Sequence, residues 1–134
     1  MRTCDANFVP TSILNVTFDC LDSELVSKFW SEITGWPRNQ DGTPGNPYWV
    51  VGGVEGLSFR LVFVTVPEAK QTKSRLHLDL LPRGVTQAAE LTRLESLGAH
   101  VVDDRRRLDP GGWVVMQDPE GNEFCLEVGD ETGA

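Results

Sequence analysis

Long apolar runs, C-x-x-C spacings and an excess of basic charge are all missing from this sequence, which also has only one tyrosine and two histidines. No stretch approaches the roughly 20 consecutive apolar residues that a membrane-spanning helix needs, and Met1 to Phe8 contain no apolar signal core. A cytoplasmic protein with no membrane partner is expected. Twelve Lys and Arg stand against 20 Asp and Glu, a net charge of -8. That balance repels phosphate backbones and anionic headgroups at long range, so nucleic acid is not an expected partner either. The three cysteines, Cys4, Cys20 and Cys125, are odd in number and widely spaced, which suggests neither a disulfide framework nor a structural zinc cluster. What remains is ordinary for one soluble domain: 134 residues, 40% hydrophobic and 24% charged, enough to bury a core.

The chain is organised as a repeat. Residues 13–20 alternate Leu14, Val16, Phe18 and Cys20 with Asn15, Thr17 and Asp19, the period of a half-buried strand. Asp22 or Ser23 can cap a helix with the apolar stripe Leu25, Val26, Phe29, Trp30 and Ile33, ended by Gly35. Pro37, Gly42, Pro44, Gly45 and Pro47 then exclude long regular structure, allowing a short strand over 36–39. Strands follow over 48–51 and 57–66, closed by Pro67. From residue 75 the order begins again: a strand over 75–81, a helix over 85–97 ended by Gly98, then strands over 99–103, 113–117 and 123–128. Leu14 to Phe18 lies over Leu76 to Leu80, Trp49-Val50-Val51 over Trp113-Val114-Val115, and the segment from Glu55 over the segment from Glu120. The expected fold is α+β: two β-α-β-β-β modules, about 11–67 and 74–129, in one domain over 1–134. They form a curled mixed sheet with helices on the convex face and a cup on the concave face.

The strand faces separate two roles. Leu14, Val16, Phe18, Leu76, Leu78, Leu80, Phe59, Leu61, Phe63, Phe124, Leu126 and Val128 are expected to pack under the helices. The other face carries Asn15, Thr17, Asp19, Ser58, Arg60, Val62, His77, Asp79, Leu81, Glu123, Cys125 and Glu127. It is either a solvated surface or, with both sheets curled inward, a small-molecule pocket; the pocket is the favoured reading.

Lys28-Phe29-Trp30 with Gly35-Trp36, Arg75 to Leu80, Leu97-Gly98-Ala99, and Asp118-Pro119-Glu120-Gly121-Asn122-Glu123-Phe124 together resemble the vicinal oxygen chelate superfamily. That superfamily includes glyoxalase I, bleomycin-resistance proteins and extradiol dioxygenases, and the likeness is greatest to its glyoxalase-like domain group. The resemblance covers nearly the whole chain and implies the cupped fold, a small-molecule ligand and a homodimer. Catalytic members hold a divalent metal on the first and last strands of their modules, which internal alignment places at Asn15, Arg60, His77 and Cys125. Arg60 has no lone pair to offer and brings positive charge. Cys125 with His77 leaves fewer than three good ligands. No catalytic metal is favoured; the alternative is Zn, Ni, Fe or Mn held by His77 and Glu127 after a two-residue shift of the last strand.

Individual residues keep two readings each. His77 beside Asp79 is either a general base oriented by a carboxylate or a hydrogen-bonded structural pair. Arg60 anchors an anionic ligand or pairs with Asp19, Asp79, Glu123 or Glu127. Cys125 is an inert thiol unless a base partner is found. Trp49 and Trp113 stack on a ligand or fill the core. The run Arg105-Arg106-Arg107 reads as a solvated connection. The expected function is small-molecule binding of the glyoxalase and bleomycin-resistance type. The alternatives are a metal-dependent lyase, isomerase or dioxygenase, and a protein-interaction domain whose cup is filled by its own side chains.

Overall fold

The computed structural model describes residues 10–106 and 111–129. The N-terminal module runs β1 (Asn15–Cys20), α1 (Ser23–Thr34), β2 (Arg38–Thr43), β3 (Asn46–Val51) and β4 (Arg60–Thr65). The C-terminal module runs β5 (Leu78–Leu80), α2 (Gln87–Ser96), β6 (His100–Asp104), β7 (Val114–Gln117) and β8 (Glu123–Leu126). Each module has its own four-stranded sheet, of order β1-β4-β3-β2 and β5-β8-β7-β6. In both, the first and last strands pair in parallel and the remaining pairs are antiparallel. The β-α-β-β-β repeat expected from the sequence is therefore the architecture, with one sheet per module rather than one continuous sheet.

Local chemistry sets the boundaries. The Asp22 carboxylate accepts from Leu25 N at 3.0 Å and caps α1, and Gly35 ends it in the left-handed conformation, φ 72°. The Pro- and Gly-rich stretch after α1 forms a complete β2–β3 hairpin, longer than the short strand expected at 36–39. Gly42, at φ 90°, lies so close to the Asn46 carbonyl that a side chain could not fit. Pro47 is tolerated because β3 pairs with β4 only from Trp49 onward, so no bond to that neighbour is lost. β5 is shorter than the strand expected over 75–81. Its partner β8 begins at Glu123, which leaves residues 75 and 76 with no strand across from them. Leu14 and Leu76 were expected under the helices but are 67% and 71% exposed, since both precede the paired parts of their strands.

The core lies between helices and sheets and draws on both modules: Trp30, Phe63, Phe124, Leu61, Leu94 and Met116 are its largest fully buried side chains. Trp30 meets Phe18 and Phe124 at centroid distances of 5.3 Å each, and Phe18 stacks on Phe63 at 4.9 Å. Polar bonds reinforce the joint. Asp118, 1% exposed, accepts from Trp30 Nε1 at 3.0 Å, from the backbone N–H of Glu120 and Asn122 at 2.9 Å each, and from Asn122 Nδ2 at 2.8 Å. The Glu120 carboxylate accepts from the backbone N–H of Leu21 and Asp22 at the start of α1, while Arg93 on α2 donates to the carbonyls of Glu32 and Ile33 at its end. The second module thus holds the backbone just ahead of α1, whose first turn Asp22 caps, and satisfies two carbonyls of its last turn, which lack intrahelical partners.

Among the described residues no helix is long and apolar enough to cross a membrane. In the arginine run, Arg105 and Arg106 pair with Asp103 and Asp104, and Arg107 lies outside the described residues.

Candidate functional site

Period-two alternation on β8 sends Phe124 and Leu126 into the core and leaves Glu123, Cys125 and Glu127 for the opposite face. Asp79 on β5 is the register partner of Cys125, and His77 lies two residues before it on the same face. Trp113, just before β7, and Val115 on it extend that face, Val115 being paired with Cys125. These residues, with Lys73 from the connection between modules, line an open hollow of about 440 Å³. A second cavity of about 490 Å³ lies against β1 and the 66–76 connection, sharing Lys73, His77 and Glu123 with the first. The cup therefore has free volume beside His77 and is not filled by its own side chains.

Three groups converge at its floor. His77 Nδ1 lies 3.3 Å from Asp79 Oδ1 and 4.0 Å from Cys125 Sγ. Burial pushes the Cys125 thiol up to about 11, and the nearby charges of Asp79 and Glu127 add to the effect. Glu127 is also raised, by burial first and then by Asp79, while His77 pulls it back. A thiol so disposed stays protonated near neutrality and is a poor nucleophile. Asp79 and Cys125 moreover meet the same ring nitrogen, so Asp79 cannot orient the imidazole through one nitrogen while the other takes the thiol proton.

Glu123 forms the wall. Burial alone would raise its carboxyl, but hydrogen bonds from Ser74 and Lys70 outweigh that and hold it at about 2. Ser74 N donates at 3.0 Å and Lys70 Nζ at 3.0 Å, which ties the inter-module connection to β8.

The expected site residues divide into three groups. His77, Asp79, Trp113, Cys125 and Glu127 come together around the hollow. Asn15 and Arg60 face each other across β1 and β4, with Arg60 Nε donating to Asn15 Oδ1 at 2.8 Å. The guanidinium is thus held by an amide on its own sheet, not by Asp19, Asp79, Glu123 or Glu127, and it is not among the residues lining the His77 hollow. Trp49 is on the other side altogether. It pairs with core Phe63 on β4, packs against the core and stacks under the Arg38 guanidinium at 4.1 Å. Its match to Trp113 in the repeat does not carry over, because Trp113 shares the parity of Val115 while Trp49 shares that of Val51. Lys73 was not expected at the site; it comes from a connection with no periodicity to reveal its direction.

His77, Asp79 and Cys125 offer a donor set for a divalent metal. The ligand atoms of His77, Asp79 and Cys125 all lie within 4.8 Å of one another. Glu127, expected from sequence as a ligand with His77, lines the same hollow but is not one of these three. The residues fit a metal, and a metal there would supply Lewis-acid polarisation of a ligand oxygen.

Paired β-α-β-β-β modules with a polar cup beside the last strand define a protein with the fold of the vicinal oxygen chelate superfamily. Residues 15–127 match the family model described as a glyoxalase-like domain, and the chain belongs to that family. No curated protein matches the sequence. Among solved structures, the fosfomycin resistance protein FosX from Mesorhizobium loti is similar at 16% identity and a TM-score of 0.67, covering 93% of this chain and 95% of that one. FosX from Listeria monocytogenes, complexed with Mn(II) and sulfate, is 12% identical with a TM-score of 0.66, covering 94% and 98%. TnmS3, an antibiotic binding protein from Streptomyces sp. CB03234, is 20% identical with a TM-score of 0.64, covering 90% and 98%.

Proposed function

We propose that this chain binds a small molecule in the cup beside His77, in the manner of the glyoxalase and bleomycin-resistance type, and that uptake does not require a catalytic metal. The observation that carries this reading is the hollow of about 440 Å³, in which Trp113, 41% exposed, stands beside His77, Asp79, Lys73 and Glu127. An aromatic wall with a few convergent polar groups is the usual make-up of a ligand pocket. The fold shared with an antibiotic binding protein and with fosfomycin resistance proteins agrees with it. In this reading Trp113 stacks on the ligand, and His77 with Asp79 hydrogen-bonds its polar end. Cys125 packs beneath it, and the Asn15–Arg60 pair of the N-terminal sheet stands outside that hollow. The protein acts in the cytoplasm as a homodimer, whose state light scattering during size exclusion would check.

Metal-free protein screened against antibiotics and small oxygenated metabolites, with tryptophan fluorescence as readout, tests the binding. Quenching is expected for a subset, and Trp113→Phe should reduce the amplitude. A screen in which no compound changes the fluorescence or the melting temperature would count against the reading. The second reading, a metal-dependent lyase, isomerase or dioxygenase, is favoured by the grouping of His77, Asp79 and Cys125. It predicts that a bound compound is converted only after metal is added.

A further inference from the structure

We propose that the cavity between β1 and the 66–76 connection is a second binding site, separate from the His77 hollow, for an elongated zwitterion: a molecule with a carboxylate at one end, an ammonium or guanidinium group at the other and an apolar body between. The cavity holds about 490 Å³, within the range of small-molecule pockets. Its charged groups sort by where the connection is tied down. Val66 N donates to the Cys20 carbonyl at 2.8 Å, which fixes the start of the connection at the end of β1, and Asp19 and Glu68 stand near that anchor. Ser74 N donates to the Glu123 carboxylate at 3.0 Å, which fixes its far end on β8, and Lys73 and Arg75 flank that second anchor in the chain. One end of the cavity is thus acidic and the other basic.

Pairing decides which of these charges are available. Lys70, which also lines the cavity, is taken up by Glu123 at 3.0 Å, and His77 meets Asp79. Among the described residues, the side chains of Asp19, Glu68, Lys73 and Arg75 form no hydrogen bond or ion pair. Opposite charges that could neutralise one another are instead held at separate anchors, so a ligand carrying both signs can meet each end without displacing an existing pair. An anion alone would leave the acidic end without a partner, and a cation alone would do the same to the basic end. The planar fork of Arg75 suits a carboxylate. Between the two ends Phe18, Trp30 and Leu78 line the wall, apolar surface that an aliphatic or aromatic body would cover. Asp19, Glu68 and Arg75 do not line the His77 hollow, so this site goes beyond the binding proposed there and does not depend on it.

The experiment titrates the full chain by calorimetry with ω-aminobutyrate, ω-aminohexanoate and ω-aminooctanoate, each beside the alkanoate and the alkylamine of the same length. Affinity is expected to peak at one length and to exceed that of both single-charge controls at least fivefold. Arg75→Gln should weaken the preferred zwitterion at least fivefold and leave the alkylamine as it was, while Glu68→Gln should weaken the zwitterion and leave the alkanoate as it was. Trp113→Phe, in the other hollow, should change none of these. Should a variant fail to fold, the salt dependence of the wild-type chain replaces it, since contacts to charged ends must weaken as ionic strength rises. No binding of any of the three zwitterions, equal affinity for zwitterion and single-charge controls, indifference to Arg75→Gln and Glu68→Gln, or salt-independent binding would each overturn the proposal. So would loss of zwitterion binding in Trp113→Phe, which would place the molecule in the His77 hollow instead.

Discussion

The helix side and the cup side of the sheets are built by opposite rules. On the helix side, polar groups appear only where every bond is made: Asp118 is buried with four donors around it, and Gln87 donates to the carbonyls of Gly112 and Leu126. On the cup side, His77, Asp79, Trp113 and Lys73 keep substantial exposure, and two groups, Asp79 and Cys125, meet one ring nitrogen of His77 without closing a full network. The first arrangement holds the two modules together, and the second keeps groups free for something else. If the contrast is real, substitutions on the helix side should cost stability, and those in the cup should cost binding.

Trp30→Ala is the largest expected effect. It removes a buried indole that contacts Phe18, Phe29 and Phe124 and takes away one of the four donors to the Asp118 carboxylate. A loss of about 3–5 kcal/mol is expected in urea denaturation, enough to unfold a marginal domain. A loss below about 1 kcal/mol would mean that the modules do not depend on this joint.

Asp118→Ala comes next, at about 3 kcal/mol, because it leaves Trp30 Nε1 and the turn's backbone donors without their acceptor in a buried setting. Asp118→Asn should recover part of that loss, since an amide oxygen still accepts. An alanine variant as stable as the parent would remove the clasp from the account of how the modules join.

Acid tests the boundary between the two sides, where Glu123 ties the 66–76 connection to β8. Its folded value of about 2 lies below the ordinary 4.5. The stability it adds is therefore fully present above pH 4.5 and is lost as the pH falls from there toward 2. That loss is on the order of 2–3 kcal/mol. Denaturation midpoints of the parent should decline over this window more steeply than those of Glu123→Gln, which lacks the titrating group. Parallel curves would show that the bonds from Ser74 and Lys70 are not maintained in solution.

The same contrast explains how far the sequence could be read. Helix-side periodicity is dictated by burial, so the repeat, both helices and the inward positions of Leu61, Phe63, Phe124 and Leu126 were visible before the structure. Strand ends were not, because pairing depends on where the partner strand begins: Leu14 and Leu76 carry the right residue type in the right phase, yet nothing lies across from them. Aligning the modules to each other misplaced Trp49, whose equivalence to Trp113 in sequence hides a difference in parity. Strand alternation puts His77, Asp79, Cys125 and Glu127 on one face, but which of them stand opposite one another depends on the β5–β8 register. That register pairs Asp79 with Cys125, whereas the internal alignment set His77 against Asn15 and Cys125 against Arg60.

The smallest stability effect is expected where the functional effect is large. His77 and Asp79 have side chains 44% and 56% exposed, and their 3.3 Å contact is long for an ion pair. Exposed pairs of this kind contribute little, so His77→Ala should shift stability by no more than about 0.5 kcal/mol. The same substitution takes away the group on which Asp79 and Cys125 converge, and should weaken any compound found in the fluorescence screen at least tenfold. Measuring both quantities on one preparation gives the comparison its sharpest form. A destabilisation of about 2 kcal/mol with unchanged ligand affinity would make His77 part of the scaffold and erase the distinction between the two sides at its most exposed point.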